Sequence, residues 1–278
     1  MQFLSKFFLL SIAAVLYGGS DGIDCSKEAA QINYYSKRFA ANFFYPQSDT
    51  KYRIAVLPHH SITAASLDAA YSYLSRTNSE ISKFILISPD HFSAIKGKAS
   101  VCQLPFISGQ SILNPDYKLS QNICLAGADP ESIPFEREHG IKTHIPLIAK
   151  YFPKSSVTAL ILNDKTRDIS LCRTIGAAAG DLMTCNSSIF LIVSSDFSHK
   201  SNDEQTRKRD GLTMKYLTNW SSANPNSIDC DCRSGMILLS SVMKKIKTSK
   251  FSVISNFSSS DLNCGKNNVT SYFFLFAE

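Results

Sequence analysis

Apolar, β-branched runs of strand length recur along the chain, and longer segments with helical periodicity lie between them. The predicted strands are Arg53–Leu57, Lys83–Ser88, Val157–Leu162, Ile189–Ser194, Phe251–Ser255 and Val269–Phe276. The predicted helices are Ala64–Leu74, Ile141–Tyr151, Ile169–Met183, Asp203–Leu217 and Gly235–Ile246. Continuous apolar strands that alternate with helices are typical of the α/β class. We therefore predict a mixed, largely parallel central sheet with helices on both faces.

The N-terminus is predicted to be a secretory signal peptide. Residues 1–20 contain a lysine in MQFLSK, then the apolar run FFLLSIAAVLYGG, and end in small residues before a cleavage site after Ser20. The run is short for a transmembrane helix of about 20 residues, so an uncleaved membrane anchor is the weaker alternative. We expect an exported protein, periplasmic or secreted, with no stable membrane insertion after cleavage. Residues 21–52 then form a lead-in, and residues 53–278 form one α/β domain.

Composition bears on partners and on the cysteines. The net charge is +6, and the basic residues are scattered, so nucleic-acid binding is not expected. Export would place the eight cysteines in an oxidising compartment, which favours disulfides. The C-D-C segment at 230–232 is interpreted as disulfide-bonded or buried thiols in preference to a copper or zinc site. Two disulfides are reasonable, Cys102–Cys124 and Cys172–Cys185.

All six histidines fall in four short polar segments, LPHH, SPDH, EHGIKTH and SSDFSH. Three of these segments follow a predicted strand. Ligands of open α/β sheets bind beyond the carboxyl ends of the strands, so His59, His91, Asp196 and His199 are expected to meet there. Imidazole is the commonest metal ligand, and two histidines with one carboxylate suit non-haem Fe(II). The alternatives are structural: Asp196 could cap the next helix, and His144 is expected to be a surface or packing residue.

These segments resemble, in the same order, the motifs of Memo-like proteins, a family that includes AmmeMemoRadiSam system protein B. LPHHSITAA is similar to P-H-A-G-x-x-x-S-G, ISPDHFSAIKG to L-G-P-S-H-H-x-x-x-x-G, and EREHGIKTHIPLIAKYFP to R-E-H-S-x-E-x-Q-L-P-F-L. VSSDFSHK resembles S-S-D-L-S-H-Y, and CDCRSGMILL resembles A-C-G-x-x-P-I. SSSDLNCGKNNVTSY resembles N-S-G-D-x-x-G-D-x-x-x-V-x-G-Y. The resemblance covers roughly Arg53 to Ala277.

The resemblance implies the fold of class III extradiol dioxygenases of the LigB type, with one divalent metal ion. Fe(II) is favoured, and Cu or Zn are alternatives. His59 and His91 are then metal ligands, and Asp261 takes the third ligand position. Cys264, three residues later, is the alternative third ligand. Four further residues are expected to line the cleft or support the ligands: His60, Asp90, Glu138 and His139.

The same resemblance implies a metal-dependent, extradiol-dioxygenase-like oxidoreductase acting on a small oxygenated molecule. His199 would act as the general acid–base, and Asp196 would orient it or stabilise its imidazolium form. One alternative is a non-enzymatic protein that binds a metal or a peptide, and another is a zinc-dependent hydrolase. A functional link to a radical SAM protein is also implied.

Three positions depart from the motifs that the chain resembles. Ser61 replaces the glycine of P-H-A-G, and a residue other than glycine adopts a positive φ only at a cost. Phe92 replaces the second histidine of the S-H-H pair, which makes the predicted site more apolar. His144 stands in place of the glutamine in the R-E-H motif.

Overall fold

The structure is a computed structural model that describes residues 22–46, 50–220 and 228–278. The predicted signal peptide lies outside these ranges and stays a prediction. Within them, no helix is both long and apolar enough to cross a membrane.

The strands form one large and one small sheet. In chain order they are β1 (Ile23–Asp24), β2 (Ile54–Leu57), β3 (Lys83–Pro89), β4 (Ala99–Val101), β5 (Phe106–Ser108), β6 (Ser111–Leu113), β7 (Asp129–Pro130), β8 (Ser156–Leu162), β9 (Ile189–Ser194), β10 (Ser252–Ser258) and β11 (Ser271–Ala277). The large sheet has the order β10-β11-β2-β9-β3-β8-β4-β7, and β1-β5-β6 form the small one. The four central strands β2, β9, β3 and β8 are parallel. β11 is antiparallel to β2, and β4 is antiparallel to β8.

Helices cover both faces of the large sheet. They are α1 (Ser26–Arg38), α2 (Ala64–Thr77), α3 (Tyr117–Leu125), α4 (His139–Lys142), α5 (Ile145–Tyr151), α6 (Ile169–Cys185), α7 (Asp203–Thr218) and α8 (Arg233–Ile246), with 3-10 turns at Ser61–Thr63 and Ile133–Glu136. Alternate residues of a strand belong to two apolar clusters, one on each face of the sheet. Ala55 and Leu57 share a cluster with residues of α1, α2 and α5, whereas Ile54 and Val56 share the other cluster with residues of α3, α6 and α8. The predicted fold class is confirmed. All six predicted strands and four of the five predicted helices correspond to single elements, and the predicted helix Ile141–Tyr151 is divided between α4 and α5.

Two regions contain elements that the pattern did not predict. α1 lies in the lead-in and buries only Ile32 among its thirteen residues, so its apolar periodicity is weak. The segment 99–134 contains α3 and the strands β4, β5, β6 and β7, each strand two or three residues long. Such short strands cannot display a period-two alternation.

Neither predicted disulfide is present, because all eight cysteines are free thiols. Cys102 belongs to the apolar cluster on one face of the sheet, and Cys124 packs against the cluster on the other face. Cys172 and Cys185 lie near opposite ends of α6, about 20 Å apart along the helix axis, too far for a bond that needs Cα atoms within about 7 Å. The C-D-C thiols are buried and unpaired, as one of the two interpretations predicted.

A close helix contact supports the side of the sheet on which α8 lies. α6 approaches α8 so tightly that a Cβ atom on Gly176 would lie 2.3 Å from the carbonyl oxygen of Leu238. The contact is therefore possible only because residue 176 has no side chain. Gly211 of α7 offers a contrast, because a Cβ atom there would meet no heavy atom within 4 Å.

We predict that Gly176→Ala lowers the free energy of unfolding by about 1–2 kcal/mol. Overpacking a core contact costs about 1–3 kcal/mol, and the better helix propensity of alanine returns up to about 1 kcal/mol. Gly211→Ala, the matched control, should raise the free energy of unfolding by up to about 1 kcal/mol, since it gains propensity without a clash. Urea denaturation of both variants measures this. Equal effects of the two substitutions would contradict the packing argument.

Candidate metal centre

Three neighbouring parallel strands deliver polar side chains to one edge of the large sheet. His59 follows β2, Asp196 follows β9, and His91 follows β3, and β9 lies between the other two strands. The backbone N–H of His59 donates a hydrogen bond to Asp196 Oδ1 at 3.0 Å. The rings of His59 and His91 lie 4.7 Å apart, nearly perpendicular to each other. The sequence-predicted convergence of these residues is present in the structure.

A second carboxylate, Asp231, faces the histidines from the turn before α8. Its Oδ2 lies 3.2 Å from His59 Nε2, 3.5 Å from His91 Nε2 and 4.0 Å from His199 Nε2. Its other oxygen, Oδ1, accepts hydrogen bonds from the Ser195 hydroxyl at 2.9 Å and from the backbone N–H of Asp196 at 3.1 Å. One oxygen therefore anchors the carboxylate to the end of β9, and the other is directed at three imidazoles.

The carboxylate of Glu138 orients the His91 ring. Glu138 Oε1 lies 2.6 Å from His91 Nδ1, and Oε2 accepts from the backbone N–H of His91 at 3.1 Å. Glu138 is buried and caps α4 by accepting from the N–H of Gly140. A Cβ atom on Gly140 would lie 2.1 Å from Ser88 Oγ, so glycine lets this short helix pack against β3. The Nε2 atom of His91 is thereby turned toward the centre.

The His59 ring is held by uncharged partners that lead away from the centre. His59 Nδ1 lies 3.0 Å from Ser194 Oγ, and the same hydroxyl lies 3.2 Å from His144 Nε2. His144 Nδ1 in turn lies 2.9 Å from the hydroxyl of Tyr71. All four side chains are buried. The Nε2 atom of His59 is thereby left to face Asp231.

Two overlapping groups of side chains could hold a metal ion. Ligand atoms of His59, His91 and His139 lie within 4.8 Å of one another, as do those of His59, Asp196 and Asp231. The His139 ring lies 4.0 Å from that of His91, with its side chain 44% exposed. The edge of the sheet therefore combines imidazole nitrogens with carboxylate oxygens, which is the donor chemistry of a transition-metal site.

The charges of these groups sustain one another. Burial opposes protonation of His59, but the carboxylates of Asp196 and Asp231 outweigh burial and raise its pKa. Burial also lowers the pKa of His91, but the hydrogen bonds to Asp231 and Glu138 outweigh burial and raise this pKa to about 10. Burial would raise the pKa of Asp231, but the charges and hydrogen bonds of the neighbouring histidines hold it well below its usual range. Without a metal, protons on the imidazoles balance the half-buried carboxylate of Asp231.

A family model described as Memo-like protein matches residues 26–275 of the chain. The chain belongs to the Memo-like protein family. Three curated relatives are each named as a MEMO1 family protein. The one from Thermoplasma volcanium is 26% identical over 78% of this chain and 82% of its own length. Those from Caldivirga maquilingensis and Nitrosopumilus maritimus are 24% and 20% identical, and the matches span 59% of the length of each relative.

In this Memo-like protein, the predicted third ligand has other partners. Asp261 Oδ1 accepts from Arg207 at 3.0 Å, and Oδ2 accepts from the backbone N–H and the hydroxyl of Ser258 at 2.8 and 2.9 Å. Cys264 is exposed, and its Sγ lies 3.7 Å from the carbonyl oxygen of Leu262. Neither residue is in the two groups of converging ligand atoms found among the described residues. As ligands, Asp261 and Cys264 stay predictions, and Asp231 has the better geometry.

The other predicted cleft residues have distinct positions. His60 turns away from its neighbour and places Nδ1 2.5 Å from the Tyr272 hydroxyl. Asp90 accepts from the backbone N–H groups of Ala94 and Ile95, and so shapes the loop that carries His91. His139 lies against the His91 ring, as described above.

The departures from the family motifs are accommodated locally. Ser61 opens a 3-10 turn and is not among the positive-φ residues of the described chain, so it has no need of the conformational freedom of glycine. Phe92 lies at the rim with its ring 5.7 Å from that of His139, and the Arg137 guanidinium lies 4.6 Å from the Phe92 ring centre. His144, expected to be a surface or packing residue, is buried and hydrogen-bonded.

Three polar groups of this Memo-like centre were missed as contributors from the sequence: Asp231, Ser194 and the imidazole of His144. A signal for Asp231 existed, because it lies four residues before the predicted helix Gly235–Ile246 and between two cysteines. The C-D-C pattern drew attention to the thiols, although the carboxylate between them is the group that faces the histidines. Ser194 ends a predicted strand, but serine is too common at strand ends to stand out.

The buried imidazole of His144 makes stability depend on pH. Burial, and then the nearby charge of His59, lower the pKa of His144 to about 3. Between about pH 6.5 and pH 3, the unfolded chain therefore binds a proton at residue 144 that the folded chain does not bind. The stability associated with neutral His144 is fully present above about pH 6.5 and is lost as pH falls toward 3.

We predict that His144→Gln flattens this dependence. Below about pH 6, the free energy of unfolding of the metal-free wild type should fall more steeply than that of the variant, by up to about 1.4 kcal/mol per pH unit. Urea denaturation between pH 7.5 and 5.0, in the presence of a chelator, measures the difference. Parallel curves for the two proteins would show that His144 takes up its proton in the folded state.

Proposed function

We propose that this Memo-like protein binds one divalent metal ion through His59, His91 and Asp231, and uses it in oxidoreductase chemistry on a small oxygenated molecule. One observation carries the proposal: a single carboxylate oxygen lies 3.2 Å and 3.5 Å from the Nε2 atoms of two histidines on neighbouring strand loops. Both imidazoles are held through their Nδ1 atoms, which leaves Nε2 as the ligand atom of each.

The donor set fits a first-row transition metal. Two ligand atoms that are each about 2.1 Å from an ion lie roughly 3.0–3.4 Å apart at octahedral or tetrahedral angles. The separations of Asp231 Oδ2 from the two imidazole nitrogens are close to this range. Hydrogen-bonded partners on the outer nitrogens are also the usual arrangement for metal-binding histidines. His59 belongs to both groups of converging ligand atoms, whereas His91 shares its group with His139 and Asp231 shares its group with Asp196. His139 and Asp196 are therefore the candidates for a further ligand.

Two histidines and one carboxylate favour Fe(II), and the imidazoles would also accept Cu or Zn. Bound Fe(II) would supply the redox chemistry and open positions for O2 and substrate. His199 would then exchange a proton with a substrate hydroxyl, because its side chain is 37% exposed and its Nε2 lies 4.0 Å from the Asp231 oxygen that also faces the two ligand histidines. Asp196 is fixed to the backbone of His59, so it would hold the ligand loop in place.

Two alternatives keep the same ligands. A non-enzymatic protein would use the three side chains to hold a metal ion or a peptide and would have no role for His199 as a base. A zinc-dependent hydrolase would use His199 to take a proton from water. The metal content and the dependence of turnover on His199 separate these cases from the oxidoreductase.

We predict that the purified protein holds about one Fe, Cu or Zn per chain, and that His59→Ala and His91→Ala lose it. Asp231→Asn should weaken metal binding at least 10-fold, because a neutral amide replaces the ligand carboxylate. Asp261→Asn is the matched control and should keep its metal. Elemental analysis and chelator competition measure all four variants.

Two outcomes would change the proposed ligand set or reject the site. Loss of metal in Asp261→Asn but not in Asp231→Asn would make Asp261 the third ligand. Wild-type protein that stays empty after anaerobic loading with Fe(II), Cu or Zn would reject the metal centre altogether.

We predict that His199→Ala keeps its metal but lowers turnover by about 100- to 10,000-fold, the usual range for loss of a general acid–base. O2 uptake by the Fe(II)-loaded protein with a panel of catechols tests this, with the metal content of the variant as the control. Absence of O2 uptake by the wild type with every catechol would favour the non-enzymatic alternative. Hydrolysis by the zinc-loaded protein alone would favour the hydrolase.

A further inference from the structure

A row of four buried, hydrogen-bonded polar side chains, the polar file, leads from the centre into the core of the protein. It passes from His59 to Ser194, then to His144 and to Tyr71, with separations of 3.0, 3.2 and 2.9 Å between the polar atoms. The groups come from separate parts of the fold: the loop after β2, the end of β9, the turn before α5, and α2. A buried polar group without a partner costs roughly 1–3 kcal/mol, so each member of this file depends on its neighbours for its hydrogen bonds.

The proton count of the file allows two directions. In the first, His59 Nδ1–H donates to Ser194, the Ser194 hydroxyl donates to His144 Nε2, and His144 Nδ1–H donates to Tyr71. The Nε2 atom of His59 then has a free lone pair and can bind a metal. In the second, every donor and acceptor is reversed, the proton of neutral His59 sits on Nε2, and that atom donates to Asp231 instead.

We propose that Ser194 and His144 are positioning residues of the metal centre, which hold the His59 ring in the tautomer whose Nε2 is free to bind the metal. The inference rests on the proposed metal-binding function. Ser194 has one hydroxyl proton, so donating it to His144 leaves its oxygen to accept from His59 and couples the tautomers of the two rings. The proton of a metal-bound His59 thus sets the direction of the whole file.

The two ligand histidines are then held in different ways. The Nδ1 atom of His91 meets the carboxylate of Glu138, whereas that of His59 meets a neutral hydroxyl. A carboxylate partner makes an imidazole a stronger donor to the metal than a neutral partner does. The file therefore acts on the position and tautomer of His59 more than on its charge.

The first test compares the affinities of four variants for Zn(II), and for Fe(II) without oxygen, by chelator competition. Ser194→Ala and His144→Leu should each weaken binding about 10- to 100-fold, the usual cost of losing a partner of a metal-binding histidine. The double variant should bind the metal no more weakly than whichever single variant has the lower affinity, because either substitution alone already interrupts the file. His144→Gln should restore affinity to near the wild-type value, since its amide offers an acceptor to Ser194 and a donor to Tyr71.

Ser155→Ala is the matched control. It also removes a buried serine hydroxyl, one that donates to the carbonyl oxygen of Phe152 at 2.8 Å. Ser155 directly precedes β8, at the end of the parallel strands opposite to the centre. It should lower stability without changing metal affinity. If His144→Leu does not fold, Ser194→Ala and His144→Gln carry the comparison.

A second readout observes the tautomer directly. Nitrogen-15 spectra of the zinc-loaded wild type should show His59 protonated at Nδ1 and bound to metal at Nε2. Wild-type metal binding through His59, with unchanged affinity in both Ser194→Ala and His144→Leu, would overturn the positioning role and leave the proposed function intact. A wild type that binds no metal, or a His59→Ala variant that binds as well as the wild type, would overturn the proposed function and this inference together.

Discussion

The parallel arrangement of β2, β9 and β3 is the constraint on which the rest of the centre depends. Parallel neighbours end at the same edge of a sheet, so the residues that follow them are brought together although they are distant in sequence. β9 lies between the other two strands, so Asp196 and Ser194 are near both flanking loops. The contacts of His59 with Asp196 and Ser194 are a direct consequence of this order.

Asp231 converts that meeting of loops into a site with a charge balance. A carboxylate placed among imidazoles is stable because each partner offsets the cost of removing the other from water. Its Oδ1 accepts hydrogen bonds from Ser195 and from the backbone of Asp196, which leaves Oδ2 to face the histidines. The cluster is thus prepared for a cation, because the protons that balance it in the metal-free protein can be exchanged for a metal ion.

The two ligand histidines have contrasting environments. The partner of His91 is a buried anion, whereas the partner of His59 begins a neutral file that ends in the core. The orientation of His91 therefore depends on a neighbouring charge. The orientation of His59 depends on the packing of α2, α5 and β9, so it is established when the domain folds.

Features of the site that depend on local sequence could be predicted, whereas those that depend on contacts between residues far apart in the sequence could not. The fold class and the meeting of His59, His91 and Asp196 could be predicted, because apolar periodicity is local and the edge of a parallel sheet follows a general rule. Residues such as Ser194 and His144 could not be assigned, because nothing near them in sequence shows what lies opposite. The expected disulfides failed for a related reason, since the sheet separates Cys102 from Cys124.

The sequence by itself determined that this Memo-like chain folds as an α/β domain with histidines at neighbouring strand ends. Strand patterns, helix patterns and the residues that follow each strand are all readable along the chain. Only the tertiary structure decided which carboxylate faces those histidines. Asp231 reaches them because its turn is hydrogen-bonded to the end of β9, 35 residues earlier, whereas Asp261 is held by Arg207 and Ser258. Contacts of that range depend on the path of the folded chain, which no local pattern encodes.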